Sequence, residues 1–201
     1  ERDIAIPRGW TLRGAVRQLF LERTKTTEIF IDGQRVGGSN DISTPQRFSL
    51  PLTKAGRHRL TIVVDNAHGQ PAQVYAGSHA MTEDTQTNWN GVIGSMFIAN
   101  VNRNAVLKAD LPSKIAPIFK GFRAEGRRFM ADGKPVFLRG KHDACVWPLT
   151  GHVAMDRQSW IDYMQKLQAY GINHIRFHSW CPPEQAFYAA DSLGLYLQPE
   201  L

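Results

Sequence analysis

Cysteine is scarce in this sequence: Cys145 and Cys181 are the only two in 201 residues. That density excludes a disulfide-built scaffold, and the two read as free thiols, with a pairing between neighbouring loops left open. No CxxC or HExxH spacing occurs, so no zinc site is indicated. His174 and His178 are four apart, but in a strand-like run, which does not make a helical ligand pair. No apolar run approaches the ~18 residues that cross a bilayer, and no signal-peptide pattern opens the chain. A membrane partner is therefore not expected.

A charge concentrated at one end is also missing. The net charge of +6 is spread evenly, with 12 basic and 9 acidic side chains before residue 107 and the same numbers after it. Without a basic tail or stripe, a pI near 9.5 does not point to a nucleic-acid partner. What remains is a globular composition, 42% hydrophobic and 21% charged, in a chain long enough to bury one or two cores.

The first hundred residues alternate in short β-rich runs such as RQLFLERT, TEIFIDGQRV, RFSLPL and HRLTIVVDN. Asp32-Gly33, Gly37-Gly38 and Asn66 to Gly69 supply turn signals between them. No helical period competes, so the expectation is an antiparallel β-sandwich of jelly-roll type. TEIFIDGQRVG predicts a hairpin turning at Asp32-Gly33. Two polar segments, SNDISTPQ and SHAMTEDTQTNWNGVIGSM, carry amides, carboxylates and an indole, a set suited to sugar hydroxyls and apolar sugar faces. Asp41, Asn88 and Trp89 are the candidates there; for Asp41, capping its own turn is an equal alternative.

The last eighty residues follow a different grammar. KPVFLRGKHD reads as a strand, and DRQSWIDYMQKLQAYG as a helix capped by Asp156 and ended by Gly171. INHIRFH is a second strand, a helix follows through Leu193 with Pro183 in its first turn, Gly194 stops it, and LYLQPEL is a third strand. This β-α-β-α-β order opens a parallel α/β fold of barrel type. Alternation turns Ile175 and Phe177 toward the helices and Arg176 and His178 away from them. His142, Asp143, Arg176, His178 and Glu200 then gather at the C-terminal ends of the strands, where such barrels place their reactive groups.

These residues carry a resemblance. ADGKPVFLRGKHDA is similar to the "dGKpvfLRGvNrHE" strand that opens the catalytic barrel of glycoside hydrolase family 2. GINHIRFHSWCPP and DSLGLYLQPE resemble that family's "GfNavRtSHYP" and "DelGlyvidE", and TNWNGVIGSMFI resembles a "D.W.GI.R.v.l" segment of its sugar-binding jelly roll. Two positions depart from the pattern: His178 falls one place early, and His142 stands where asparagine is usual. Asn88 occupies the place of an aspartate that in several members reaches the active site.

The resemblance implies a jelly-roll domain over residues 1–103, a connection over 104–120 in place of the family's immunoglobulin-like domain, and the first part of a TIM barrel over 121–201. It implies a retaining exo-β-glycosidase acting on terminal sugars, periplasmic or secreted, with carbohydrate as its partner. The family's acid/base glutamate follows an asparagine, and no Asn-Glu pair occurs in the 201 residues; the catalytic pair is expected beyond this chain, leaving the fragment inactive alone. Arg176 would orient a carboxylate, and Glu200 a sugar hydroxyl, while His142, Asp143 and His178 would touch the sugar. For Arg176 and Glu200, an ion pair bracing the strand ends is an equal alternative. No cofactor is implied, with a divalent cation beside Glu200 left open. Three barrel strands with unpaired edges lead us to expect self-association. A non-catalytic carbohydrate-binding module is the competing reading.

Overall fold

The computed structural model describes residues 1–11, 15–42, 44–52, 54–77, 89–102, 122–144 and 146–200. Seven strands come first: β1 (Arg2–Ile6), β2 (Ala15–Arg23), β3 (Thr26–Ile31), β4 (Gln34–Ser39), β5 (Gln46–Leu50), β6 (Gly56–Asp65) and β7 (Ile93–Asn102). They form two antiparallel sheets, ordered β1-β6-β3-β4 and β5-β2-β7. The period-2 pattern decides which face is buried. Leu19 and Leu21 of β2, Ile29 and Ile31 of β3 and Phe48 and Leu50 of β5 meet in one core between the sheets. Phe20, between the two leucines, turns outward and stacks on Phe97 of β7 at 4.8 Å.

Asp32 and Gly33 both have positive φ, 51° and 78°, the type I′ geometry that matches the strand twist and favours Asp-Gly. A polar side chain, Gln46, enters this core with its partners. Gln46 donates to the carbonyls of Lys25 (2.9 Å) and Asp41 (2.6 Å) and accepts from Thr27 Oγ1. An element not expected from sequence is α1 (Ala72–Gly77), a short helix opening after Pro71, whose fixed φ suits a helix start.

Three short strands follow, β8 (Arg123–Glu125), β9 (Arg128–Ala131) and β10 (Lys134–Val136), as an antiparallel meander. Here the expectation of one strand through KPVFLRGKHD is corrected. Asp132 and Gly133 repeat the positive-φ turn, at 49° and 78°, and fold Lys134–Val136 back onto β9. The chain then breaks direction at 137–139, held by Asn173, which donates to the Phe137 carbonyl at 3.0 Å and accepts from Arg139 N at 2.7 Å.

Only β11 (Gly140–Asp143) enters the parallel sheet, with β12 (His174–Phe177) and β13 (Tyr196–Gln198) beside it in the order β11-β12-β13. Two helices connect them, α2 (Arg157–Ala169) and α3 (Glu184–Leu193). Asp156 caps α2 by accepting from Ser159 N at 2.8 Å and Ser159 Oγ at 2.7 Å. Pro183 sits at the cap of α3, one residue before the first turn expected for it. Ile175 and Phe177 are fully buried against Trp160, Met164, Ala186 and Ala189 of the helices. At ~1.5–3 kcal/mol per buried large side chain, this layer fixes the face of β12.

The two halves touch. Ile93, at the start of β7, packs on the helix–sheet core that includes Val153 and Ala154. Next to it, Gly94 (φ 76°) lies against the ends of two side chains: a Cβ would lie 2.5 Å from Glu22 Oε2 and 2.7 Å from Met155 Cε, and these would have to shift. Glu22 Oε2 accepts from Ser95 N at 2.6 Å on the same edge.

Candidate functional site

With Ile175 and Phe177 committed to the helices, the opposite face of the parallel sheet is fixed by register. His142 stands opposite Arg176, and Arg176 opposite Gln198. His142, His174, Arg176, His178 and Glu200 line one cavity of about 450 Å³ on that face. Four of the residues expected from sequence are thus brought together.

Glu200 is the most constrained of them. Its Oε1 accepts from Arg176 Nη2. Its Oε2 accepts from the backbone N–H of Ser179 at 3.1 Å and lies 3.8 Å from His178 Nδ1. These partners, the Ser179 amide first and the Arg176 guanidinium next, hold the carboxyl below the usual glutamate range. Hydrogen bonds to the charged form favour it, so Glu200 is a carboxylate anchor. Ser179 reaches it through a backbone at φ 54°, a left-handed conformation that costs a non-glycine residue about 1–3 kcal/mol. Sequence reasoning missed Ser179, since nothing in its side chain announces that geometry.

The histidines differ. The His142 and His178 rings stand 4.8 Å apart, tilted by 43°, and His178 Nδ1 is 2.8 Å from Ser179 Oγ. His174, deeper on the same strand face, has its pKa lowered by burial, with a Gln198 hydrogen bond opposing. The His174, Arg176, His178 alternation places it on this face, though it is not among the site residues expected from sequence.

The other sequence candidates lie elsewhere. Asp143 does not share the inner face. It is opposite Phe177 in the register, buried at 5%, and accepts from Tyr163 OH of α2 and from Lys141 Nζ at 3.2 Å. Its carbonyl accepts from His178 N at 2.8 Å and Trp180 Nε1 at 3.3 Å. Asp143 therefore ties strand, helix and loop together on the floor of a separate hollow of about 550 Å³ walled by Val146, Trp147 and Leu149. Parity is the reason: as neighbours in β11, His142 stands opposite Arg176 and Asp143 opposite Phe177, on the helix side. Asp41 closes its own turn, accepting from Thr44 N at 3.0 Å and Thr44 Oγ1 at 2.6 Å. The Trp89 ring carries Lys25 Nζ 4.5 Å from its centre. Asn88 and Cys145 lie outside the described residues. Cys181 is a free thiol whose pKa burial raises, with Arg23 opposing. Among the described residues no group of three or more His, Cys, Asp or Glu side chains is placed to hold a metal ion.

No family model matches the chain, and no curated protein matches its sequence. Solved structures do match in fold. Bacteroides uniformis β-glucuronidase 2, covalently bound to cyclophellitol-6-carboxylate aziridine, covers 100% of the chain with a TM-score of 0.63 at 15% identity. A β-galacturonidase of glycoside hydrolase family 2 from Eisenbergiella tayi, bound to galacturonate, covers 98% with 0.58 at 14%. Ruminococcus gnavus β-glucuronidase covers 100% with 0.60 at 11%. The fold is glycoside hydrolase family 2-like. This family 2-like chain spans 35% of the first of these structures, 49% of the second and 47% of the third.

Proposed function

We propose that the chain is the sugar-binding jelly roll and the opening strands of the catalytic (β/α)₈ barrel of a glycoside hydrolase of the family 2 type, acting on terminal β-linked sugars. The single observation that carries this reading is the inner-face cluster of His142, Arg176, His178 and Glu200 around one cavity at the C-terminal strand ends, where barrels place their chemistry. Retaining hydrolysis needs two carboxyls about 5–5.5 Å apart, one nucleophile and one acid/base. Glu200 is engaged by Arg176 and Ser179 and is a positioning group in this reading, so the reacting pair comes from further barrel strands.

The neighbours that bind a uronate or a carboxylate-bearing inhibitor support a sugar acid as substrate, and so does the composition of the rim. One guanidinium and three imidazoles face the cavity against a single carboxylate. A substrate carboxylate would compete with Glu200 for Arg176 and take hydrogen bonds from His142 and His178, charge-assisted when those rings are protonated. The test has two arms. Calorimetry of methyl β-glucuronide, methyl β-galacturonide and methyl β-galactoside on the 201-residue chain should show binding of the acids alone, weakened in R176L. A longer chain that includes the remaining barrel strands should hydrolyse an aryl β-glucuronide, whereas the 201 residues alone should not. Turnover by the short chain, abolished by mutating one of its own glutamates, would overturn the assignment of the catalytic pair; preference for the neutral sugar would overturn the sugar acid.

A further inference from the structure

A titratable contact stands apart from the cavity, at one end of the sandwich. His58 lies on β6 with Leu60, on the face that enters the core, and its side chain is only 15% exposed. Both ring nitrogens meet acceptors. Nδ1 is 2.6 Å from Asp32 Oδ2, on the β3–β4 turn, and Nε2 is 3.1 Å from the Lys54 carbonyl, in the connection between β5 and β6. A carboxylate and a carbonyl can only accept, so a neutral imidazole, with one N–H, satisfies one of them; the imidazolium satisfies both. The other polar contacts of the turn do not involve the ring. Asp32 Oδ1 accepts from Arg59 N at 2.7 Å, and Asp32 N donates to Arg59 O at 2.8 Å.

We propose that His58 is a pH-sensitive latch, fastening the β5–β6 connection to the β3–β4 turn as an imidazolium and releasing it at Lys54 when the ring loses a proton. Nδ1–H stays with Asp32 in the neutral form, since that bond is the shorter and is made to a charge. Among the described residues, the charged groups around the ring are few. Asp32 faces it from the turn. Arg57 and Arg59 flank it on β6, and Arg59 is turned to Asp3 (2.6 Å) and Glu1 (3.3 Å). Lys54 meets it through its carbonyl. Ile4 of β1 stands opposite in the sheet. The Asp32 hydrogen bond is the largest influence and raises the ring's pKa above the ordinary 6.5, with burial opposing; the same contact lowers that of Asp32. The latch is therefore closed between the depressed Asp32 value and the raised His58 value, and opens as pH rises through the latter.

The experiment is an NMR titration of the full chain, following the His58 ring nitrogens and the Lys54 carbonyl carbon. We expect imidazolium shifts persisting above pH 6.5, and a Lys54 shift that moves with the same midpoint. Amide protection at Asp32 and Arg59 should stay constant through that step, because release is local. D32N keeps an Asn-Gly turn of the same type and should bring the His58 midpoint down. H58Q should abolish the Lys54 titration; if H58Q does not fold, the wild-type and D32N titrations decide alone. A ring titrating at or below 6.5, a Lys54 carbonyl indifferent to the step, or loss of protection across the whole sandwich at that midpoint would overturn the latch.

Discussion

The guanidinium of Arg176, on the middle parallel strand, donates to the carboxylate of Glu200, just past the end of the next strand. Arg176 is 56% exposed and Glu200 25%, so the pair stands in a solvated mouth. Exposed pairs of this kind contribute only about 0–1 kcal/mol to stability. R176L should therefore change the melting temperature little. Its effect should fall on ligand: losing a hydrogen bond to a charged group, worth about 1.5–3 kcal/mol, predicts sugar-acid binding weakened by roughly tenfold to a hundredfold in calorimetry. A large drop in melting temperature with unchanged binding would assign the pair to bracing instead.

Glu200 should also report itself by pH. Its carboxyl is held below the ordinary 4.5 by the Ser179 amide and Arg176. A depressed value stabilises the folded state above the unfolded pKa, and that contribution fades as pH falls through the folded one. Carboxyl-carbon NMR should find Glu200 titrating below the ordinary 4.5, and R176L should move it up.

Phe177 is fully buried between sheet and helices, with Trp160 and Trp180 ring centroids 6.1 and 5.0 Å away. F177A should cost about 3–5 kcal/mol, the range for large-to-small changes in a packed core. Urea denaturation followed by tryptophan fluorescence measures this directly. A loss below about 1 kcal/mol would mean that β12 is not packed as described.

G94A combines a left-handed φ with contacts at 2.5 and 2.7 Å. We expect about 1–3 kcal/mol of destabilisation, the range for a non-glycine residue held in the left-handed region. Limited proteolysis should locate the weakening at the junction of the two halves before either core unfolds.

In the described residues β11 and β13 are the outer strands of the parallel sheet, and Phe137 and Leu149 are 76% and 100% exposed. Unpaired edges beside apolar surface favour association. Light scattering on the 201-residue chain should show species above 22.6 kDa that grow with concentration; a monomer throughout would contradict this.

Much of this was written locally. Asp156, Gly171 and Gly194 bracket their helices as their chemistry dictates, and Ile175 and Phe177 select the face of β12 because burial of two large apolar side chains outweighs any alternative. The failures are failures of register. KPV looks like the start of β11, but the Asp132-Gly133 turn claims it first. Once β11 begins at Gly140, parity sends His142 inward and Asp143 back toward Tyr163. Motif matching sees the two as neighbours and cannot separate them. Ser179 was illegible for another reason: its contribution is a backbone amide aimed by an unfavourable φ, which no side chain encodes. Asp41 shows the converse, a residue type suited to sugars used for a turn.

The contact between the halves is made by Ile93 and Gly94, near the beginning of β7, against 153–155. It lies upstream of the segment 103–121 that joins them in sequence. Their mutual placement is thus set by surfaces that meet, and the length of the tether is free to vary. A whole domain spliced into that tether would leave the docking intact, provided its ends return close together. Evolution can treat the joint as a socket and the connection as a place to add parts.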